Sequence, residues 1–219
     1  MTAGHGLDGV ADAGAFLARL VRLDPAALVR LRPVPAAGRT ALWARLPWGV
    51  LVARTVTGAA PGDITVAAGE LLAELTAGGA ALPRRRDDGW RWPLPAPASQ
   101  AVELLPAGEV RRIAAAAAGT LREAAAHGVA GRAVGQRALR DALLDHVAVV
   151  VTPDAAPEMP VEVPQRLVQG LVRMGFLGAG DVQVRVAGRW VGLVGPYGAA
   201  WSRKVAELGL TPVIAHPNG

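Results

Sequence analysis

Three short runs of alternating apolar and polar residues follow one another near the start of the chain: Ala27 to Val34 (ALVRLRPV), Thr40 to Leu46 (TALWARL) and Gly49 to Val56 (GVLVARTV). Successive side chains on a strand point to opposite faces, so each run reads as a strand with one face toward a core. The links between them, Pro35-Ala-Ala-Gly-Arg39 and Pro47-Trp48, are too short for the crossover that parallel pairing demands. An antiparallel meander is therefore expected.

The flanking segments suit helices packed on that sheet. Asp12 to Leu23 carries Phe16, Leu17, Leu20 and Val21 at helical spacing, and Asp24-Pro25 ends it. After Pro61-Gly62-Asp63, Ile64 to Gly78 (ITVAAGELLAELTAG) reads as a strand running into a helix, with Leu71, Leu72 and Leu75 on one side. Ala101 to Leu105 adds a strand. From Pro106 the pattern turns helical, with a stripe of Val110, Ile113, Ala117, Leu121 and Ala124 and a stop at Gly128. A further helix is expected from about Ala133 to Val150, its valine-rich end being readable also as a strand. Thr152 to Val163 mixes Asp154, Glu158 and Glu162 with Pro153, Pro157 and Pro160, and reads as a stiff acidic linker. No internal repeat is legible. The fold class expected is α+β in two domains: 1-105, an antiparallel sheet with flanking helices, and 106-219, a helical domain ending in a β-hairpin.

The supply of reactive side chains is thin. There is no cysteine, which excludes disulfides, thiolate metal sites and thiol nucleophiles. The serines, Ser99 and Ser202, do not sit in a Gly-x-Ser-x-Gly elbow, and Lys204, the lone lysine, follows Arg203 where a Walker loop needs glycine. Asp141, Asp145 and His146 fall close together on one helix, but Arg137 and Arg140 are placed to neutralise the carboxylates. Arg84-Arg85-Arg86 is followed at once by Asp87-Asp88 and reads as a solvated turn rather than a phosphate site. A protein that is not an enzyme is expected, with no catalytic residue, metal or cofactor. No apolar run approaches the ~20 residues of a membrane span, and MTAGHGLDG lacks the features of a secretory signal. A cytoplasmic protein without membrane contact is expected.

Charge is unevenly spread. The chain has a formal net charge of +5. Within Pro164 to Lys204 the basic residues are Arg166, Arg173, Arg185, Arg189, Arg203 and Lys204, and the acid is Asp181, so this segment carries the whole surplus. Its first part, from Pro164, reads as a helix with Leu167, Val168, Leu171 and Val172 inward and Gln165, Arg166, Gln169 and Arg173 on the opposite face; Gly170 leaves part of that polar face low. Val182 to Val186 alternates strictly, turns at Ala187-Gly188 and returns through Arg189 to Val194, which predicts a hairpin. Trp190, Tyr197 and Trp201 read as packing residues, and the strands around Trp43 and Trp90 hint at a pocket.

Helix, Gly175-Phe176-Leu177 and hairpin together resemble the recognition helix and wing of winged-helix DNA-binding proteins over 164-198. The resemblance implies DNA as partner, with Gln165, Arg166, Gln169 and Arg173 entering a groove, Arg185 and Arg189 on phosphates, and a homodimer for specificity. The alternatives are a protein-interaction or accessory module that binds no nucleic acid, since a basic helix face is often merely solvated, and a small-molecule-binding domain. A second resemblance lies in Ile64 to Leu75, ITVAAGELLAEL, which is similar to a segment of sliding-clamp domains in which a "TVPA" step precedes a leucine-rich helix. The sequence as a whole resembles proteins of unknown function from GC-rich actinobacteria.

Overall fold

The computed structural model describes residues 4–35, 37–127, 136–152 and 160–203. Helix α1 (Val10–Leu23) buries Ala13, Phe16, Leu17 and Leu20, the stripe its spacing dictates. It ends where the Asp24 backbone N–H bonds Leu20 and the Asp24 carboxylate accepts from Ala26. The meander follows as β1 (Leu28–Val34), β2 (Arg39–Arg45) and β3 (Leu51–Thr57), each pair antiparallel. Strand β4 (Ile64–Ala67) pairs with β1 and leads into α2 (Ala68–Thr76), as the sequence pattern predicts. A long connection with a single 3-10 turn at Asp87–Gly89 then reaches β5 (Gln100–Leu105).

The second half begins with α3 (Ala107–His127) and α4 (Gln136–Asp145). The helix expected to reach Val150 stops at Asp145, and the valine run Val147–Val151 is strand β6: β-branched side chains fit a pleated surface better than a helix turn. Its partner is β7 (Val161–Pro164), so the end of the expected acidic linker is a strand; residues 153–159 lie outside the described residues. Helix α5 (Gln165–Arg173) follows, then β8 (Val182–Ala187), β9 (Trp190–Gly195) and β10 (Gly198–Arg203).

Eight strands form one antiparallel sheet in the order β4-β1-β2-β3-β10-β9-β8-β5. The two meanders meet at its centre, where β3 and β10 pair through Leu51–Trp201, Val52–Ala200 and Ala53–Ala199. Outward from this seam both halves have the same plan: a three-stranded meander preceded by a helix, then an edge strand that runs into a helix. In the first half β4 and α2 follow their meander, whereas in the second β5 and α3 precede it. An approximate two-fold axis thus passes through the seam, relating two units whose parts are joined in a different chain order. Two similar units joined in a different order leave no constant sequence period for a search for repeats to find. Three short echoes survive in matching order. Leu20-Val21-Arg22 and Leu171-Val172-Arg173 lie near the ends of the helices that precede the meanders. Ala37-Gly38-Arg39 and Ala187-Gly188-Arg189 lie at the first hairpins, where both glycines take the left-handed φ of 57°. Pro47-Trp48-Gly49 and Pro196-Tyr197-Gly198 form the second hairpin turns.

The helices cover one face of the sheet. Phe16, Leu20, Leu71, Val110, Leu167 and Leu171 share a core with inward residues of both meanders, among them Leu31, Val52, Val184 and Leu193. The rings of Phe16 and Phe176, one from each half, stack with centroids 6.3 Å apart. At Gly170 the α5 backbone approaches the seam so closely that a Cβ would lie 3.1 Å from Val50 and 3.4 Å from Ala200. The glycine expected to lower a polar outer face therefore serves the inner one. Nor is the β8–β9 hairpin a wing: β8 pairs onward with β5 and β9 with β10, so both are interior strands.

Candidate functional site

The face away from the helices is unusual in composition. Residues that alternate with the core-facing valines and leucines line up across the strands in register. One row reads Arg30, Trp43, Ala53, Ala199, Val194 and Gln183, and the next reads Arg45, Leu51, Trp201, Gly192 and Arg185. A shorter third row is Arg32, Ala41 and Thr55. Arginine stands at the rim, with small or aromatic residues between. Trp201 lies flat because Gly192 beneath it has no side chain: a Cβ there would be 2.4 Å from the indole.

Part of this face is covered by a strap, residues 83–99. Trp90 and Trp92 meet edge to face at 5.7 Å and pack in a second, smaller core with Trp43, Leu51, Trp190 and Trp201. Arg45 stacks over Trp92 at 4.8 Å and Arg30 approaches Trp90 at 5.8 Å. Arg185 holds the far end: its Nε donates to the Ser99 hydroxyl at 2.9 Å, its Nη2 to the Ser99 carbonyl at 2.5 Å, and its Nη1 to Gln183 at 2.7 Å. At the near end the Asp87 carboxylate accepts from the Thr65 N–H at 2.7 Å and pairs with Arg85, which together hold its pKa below the usual carboxylate value. Asp63 is likewise lowered, first by its two hydrogen bonds from Arg30 at 2.6 and 2.8 Å, and the same contact raises Arg30.

Where the strap leaves the sheet uncovered, an open groove of about 960 Å³ remains. Its floor is Ala41, Trp43, Ala53, Ala199 and Trp201; Pro95 to Pro97 form one wall and Pro33 to Pro35 another. Four arginines line it, Arg32, Arg39, Arg54 and Arg185, against one acid, Asp12, which is engaged by Arg54 at 2.5 Å. Arg39 is exposed and makes one long bond of 3.4 Å to the Thr55 carbonyl, and Arg32 stands 3.9 Å from Asp63. The groove is therefore an apolar floor within an electropositive rim. Beyond Ala53, β3 loses its β10 neighbour, and there Tyr197, half exposed, faces Arg54 at 5.9 Å.

The residues expected to face DNA are not gathered on one surface. Gln165 is buried at 2% exposure with its Nε2 unpaired among the described residues. Arg166 is engaged by Asp145 and by the Trp48 carbonyl at 3.2 Å, while Trp48 donates back to the Arg166 carbonyl at 3.2 Å. Gln169 is half-buried and Arg173 exposed on α5, in the helix layer, whereas Arg185 is fixed on the opposite face of the sheet and Arg189 lies exposed at the β8–β9 turn. Asp145, a member of the candidate metal trio, pairs with Arg166, and the described residues hold no group of three His, Cys, Asp or Glu suited to a metal. Arg85 and Arg86, from the arginine triplet, pair with Asp87 and Glu70. Among the described residues no helix is long and apolar enough to cross a membrane.

Residues 94–207, more than half of the sequence, match the family described as Domain of unknown function (DUF8185). The chain belongs to that family. In this DUF8185 protein, residues 7–92 match a second description, Domain of unknown function (DUF8010). The DUF8185 match thus takes in the far end of the strap, β5 and the second meander, and the DUF8010 match takes in the first meander. By sequence, no curated protein matches the chain. By structure it is similar to the DNA polymerase sliding clamp from Caulobacter crescentus, with a TM-score of 0.50 and 12% identity over 96% of this chain and 68% of that one. It is similar also to the DNA polymerase III subunit beta from Pseudomonas aeruginosa (TM-score 0.52, 14% identity, 94% and 65% covered). The beta subunit from the DNA polymerase of Streptococcus pyogenes gives 0.53 and 11% over 89% and 62%. The chain spans about two thirds of the length of these clamps. At such identities the likeness is one of fold. It extends to nearly the whole chain the similarity that Ile64 to Leu75 bears to a clamp segment, and it overturns the winged-helix DNA-binding reading: the basic helix and hairpin are parts of a clamp-like sheet and its helix layer.

Proposed function

We propose that this DUF8185 protein is a non-enzymatic, clamp-fold interaction module, and that a partner protein docks in the groove on the open face of its sheet. The observation that carries this reading is the groove itself: small residues keep the floor low, arginines rim it, and the strap leaves it uncovered. The fold supports the reading, since proteins of similar architecture include a DNA polymerase sliding clamp and a DNA polymerase III subunit. Chemistry at the site points the same way. The lining offers guanidinium groups, indoles and prolines, which bind and orient; it offers Asp12 as its acid, and Arg54 neutralises that.

A photo-crosslinking residue at Thr55, in the groove mouth, compared with one at Arg112, exposed on α3, tests the proposal in the native host. The expected result is a discrete adduct from position 55 that disappears when Ala53→Trp fills the floor. Adducts from position 112 alone, adducts insensitive to Ala53→Trp, or none from either position would refute it.

A further inference from the structure

The rows that build the groove also say what should lie in it. Neighbouring strands are about 4.8 Å apart, so the floor from Trp43 on β2 to Val194 on β9 is roughly 14 Å wide, while Arg32 on β1 and Arg185 on β8, five strand spacings and two rows apart, are separated by roughly 27 Å. A fully extended chain advances about 3.3 Å per residue, so about eight residues running obliquely across the strands reach from one arginine to the other. The groove is open along its length, which suits a segment rather than an enclosed small molecule, and its floor presents ring faces and methyl groups to whatever crosses it.

The charge of that segment follows from the rim. Four guanidiniums face the groove and one carboxylate answers them, leaving an excess of three positive charges on the lining. Arg39 has a single long contact, to a backbone carbonyl. Arg32 is beside a carboxylate that Arg30 already binds through two hydrogen bonds. Even Arg185, which uses three donors on Ser99 and Gln183, retains two of the five that a guanidinium carries. These are arginines placed to meet carboxylates with defined geometry, not merely to keep the surface solvated.

We infer that the occupant of the groove is an acidic, extended segment of a partner protein, about eight or more residues long, with carboxylates toward both ends and apolar residues between. The inference rests on the docking role proposed above and narrows it to one chemistry. Arg32 and Arg39 bind one end, Trp43 and Trp201 pack beneath the middle, and Arg185 sets the far limit while holding the strap wall in place.

The test uses a fluorescein-labelled twelve-residue peptide with Glu toward both ends and Ala and Pro between, beside its Gln counterpart, and reads anisotropy on titration with the full chain. The Glu peptide is expected to bind, the Gln peptide not, and affinity is expected to fall as salt rises. Arg32→Ala with Arg39→Ala should weaken binding about tenfold, the sum of two exposed charge pairs. Arg173→Ala with Arg189→Ala, which removes as many charges away from the groove, should leave it unchanged, with circular dichroism confirming that both variants fold. Equal loss in the two double variants, or absence of binding at low salt, would overturn the inference. So would duplex DNA that displaces the peptide and depends on the same arginines more steeply, because the groove would then be a site for nucleic acid. If the crosslinked partner from position 55 binds the Arg32→Ala, Arg39→Ala variant undiminished, the acidic-segment inference fails while the docking role stands.

Discussion

The turns Pro47-Trp48-Gly49 and Pro196-Tyr197-Gly198 occupy related places on the two halves of the molecule and end differently. Trp48 reaches the helix of the other half, exchanging hydrogen bonds with Arg166 on α5, and its indole packs against the main core. Tyr197 stops short: it is half exposed and faces Arg54 rather than a helix backbone. The same asymmetry appears on the face of the sheet, where the strap's tryptophans cover one part and leave the part beside Tyr197 bare. A two-fold scaffold offers two equivalent positions, and here one is sealed against the helix layer while the other lies open.

Several substitutions break or sharpen this contrast, beginning with the one that tests whether the halves form a single body. Phe16 is fully buried against Phe176 across the two units, so Phe16→Ala should cost about 3–5 kcal/mol in urea unfolding and leave one cooperative transition. Two separate transitions would mean that the halves are independent. The sealed and open turns come next. Trp48→Ala should destabilise by about 2 kcal/mol, through lost packing and an unpaired carbonyl, whereas Tyr197→Ala should cost under about 0.5 kcal/mol. Equal costs would erase the distinction.

Arg185→Ala releases both bonds to Ser99, with an expected cost of about 1–2 kcal/mol and faster amide exchange at residues 98–101 than in the rest of the sheet. Unchanged exchange there would show that the strap is held by its tryptophans alone. Acid is expected to act more weakly than Arg185→Ala. Asp63 and Asp87 have native pKa values below the ordinary ~3.9 of an aspartate, so the stability they contribute is present above that value and is lost as pH falls through the depressed native values. Both carboxylates are about two-fifths exposed, which limits the total to about 1 kcal/mol. Thermal melts from pH 7 to pH 3 should show that loss, and Arg30→Leu should move its onset upward by freeing Asp63 to protonate at a more ordinary pH.

Much of the fold was legible in local pattern. The first meander, α1 and the β4–α2 step follow from alternation, from the Phe16–Leu20 stripe and from turn residues, because each buries its own face against a neighbour close in sequence. The second half was harder to read. Glycine and alanine at Gly198, Ala199 and Ala200 gave β10 no alternating signature, and without β10 the β8–β9 hairpin looked like a free wing. Gln165 and Gly170 broke the apolar stripe of α5 and so suggested a polar face, although both point inward. The pairing of β3 with β10 joins residues about 150 apart, and no local window contains it. The groove was half visible. Trp43 hinted at a pocket, but nothing in the local sequence singles out Arg32, Arg39 and Arg54, and only the register of the sheet and the path of the strap bring them round one cavity.

Fluorine NMR of the chain carrying 5-fluorotryptophan, titrated with the Glu peptide, addresses the open-against-sealed contrast most directly, because Trp43 and Trp201 line the groove while Trp48 closes the opposite turn. The account predicts that the Trp43 and Trp201 resonances shift together with one affinity and that Trp48 stays in place. Movement of Trp48 with an unchanged Trp43 and Trp201, or no movement of any indole, would contradict it.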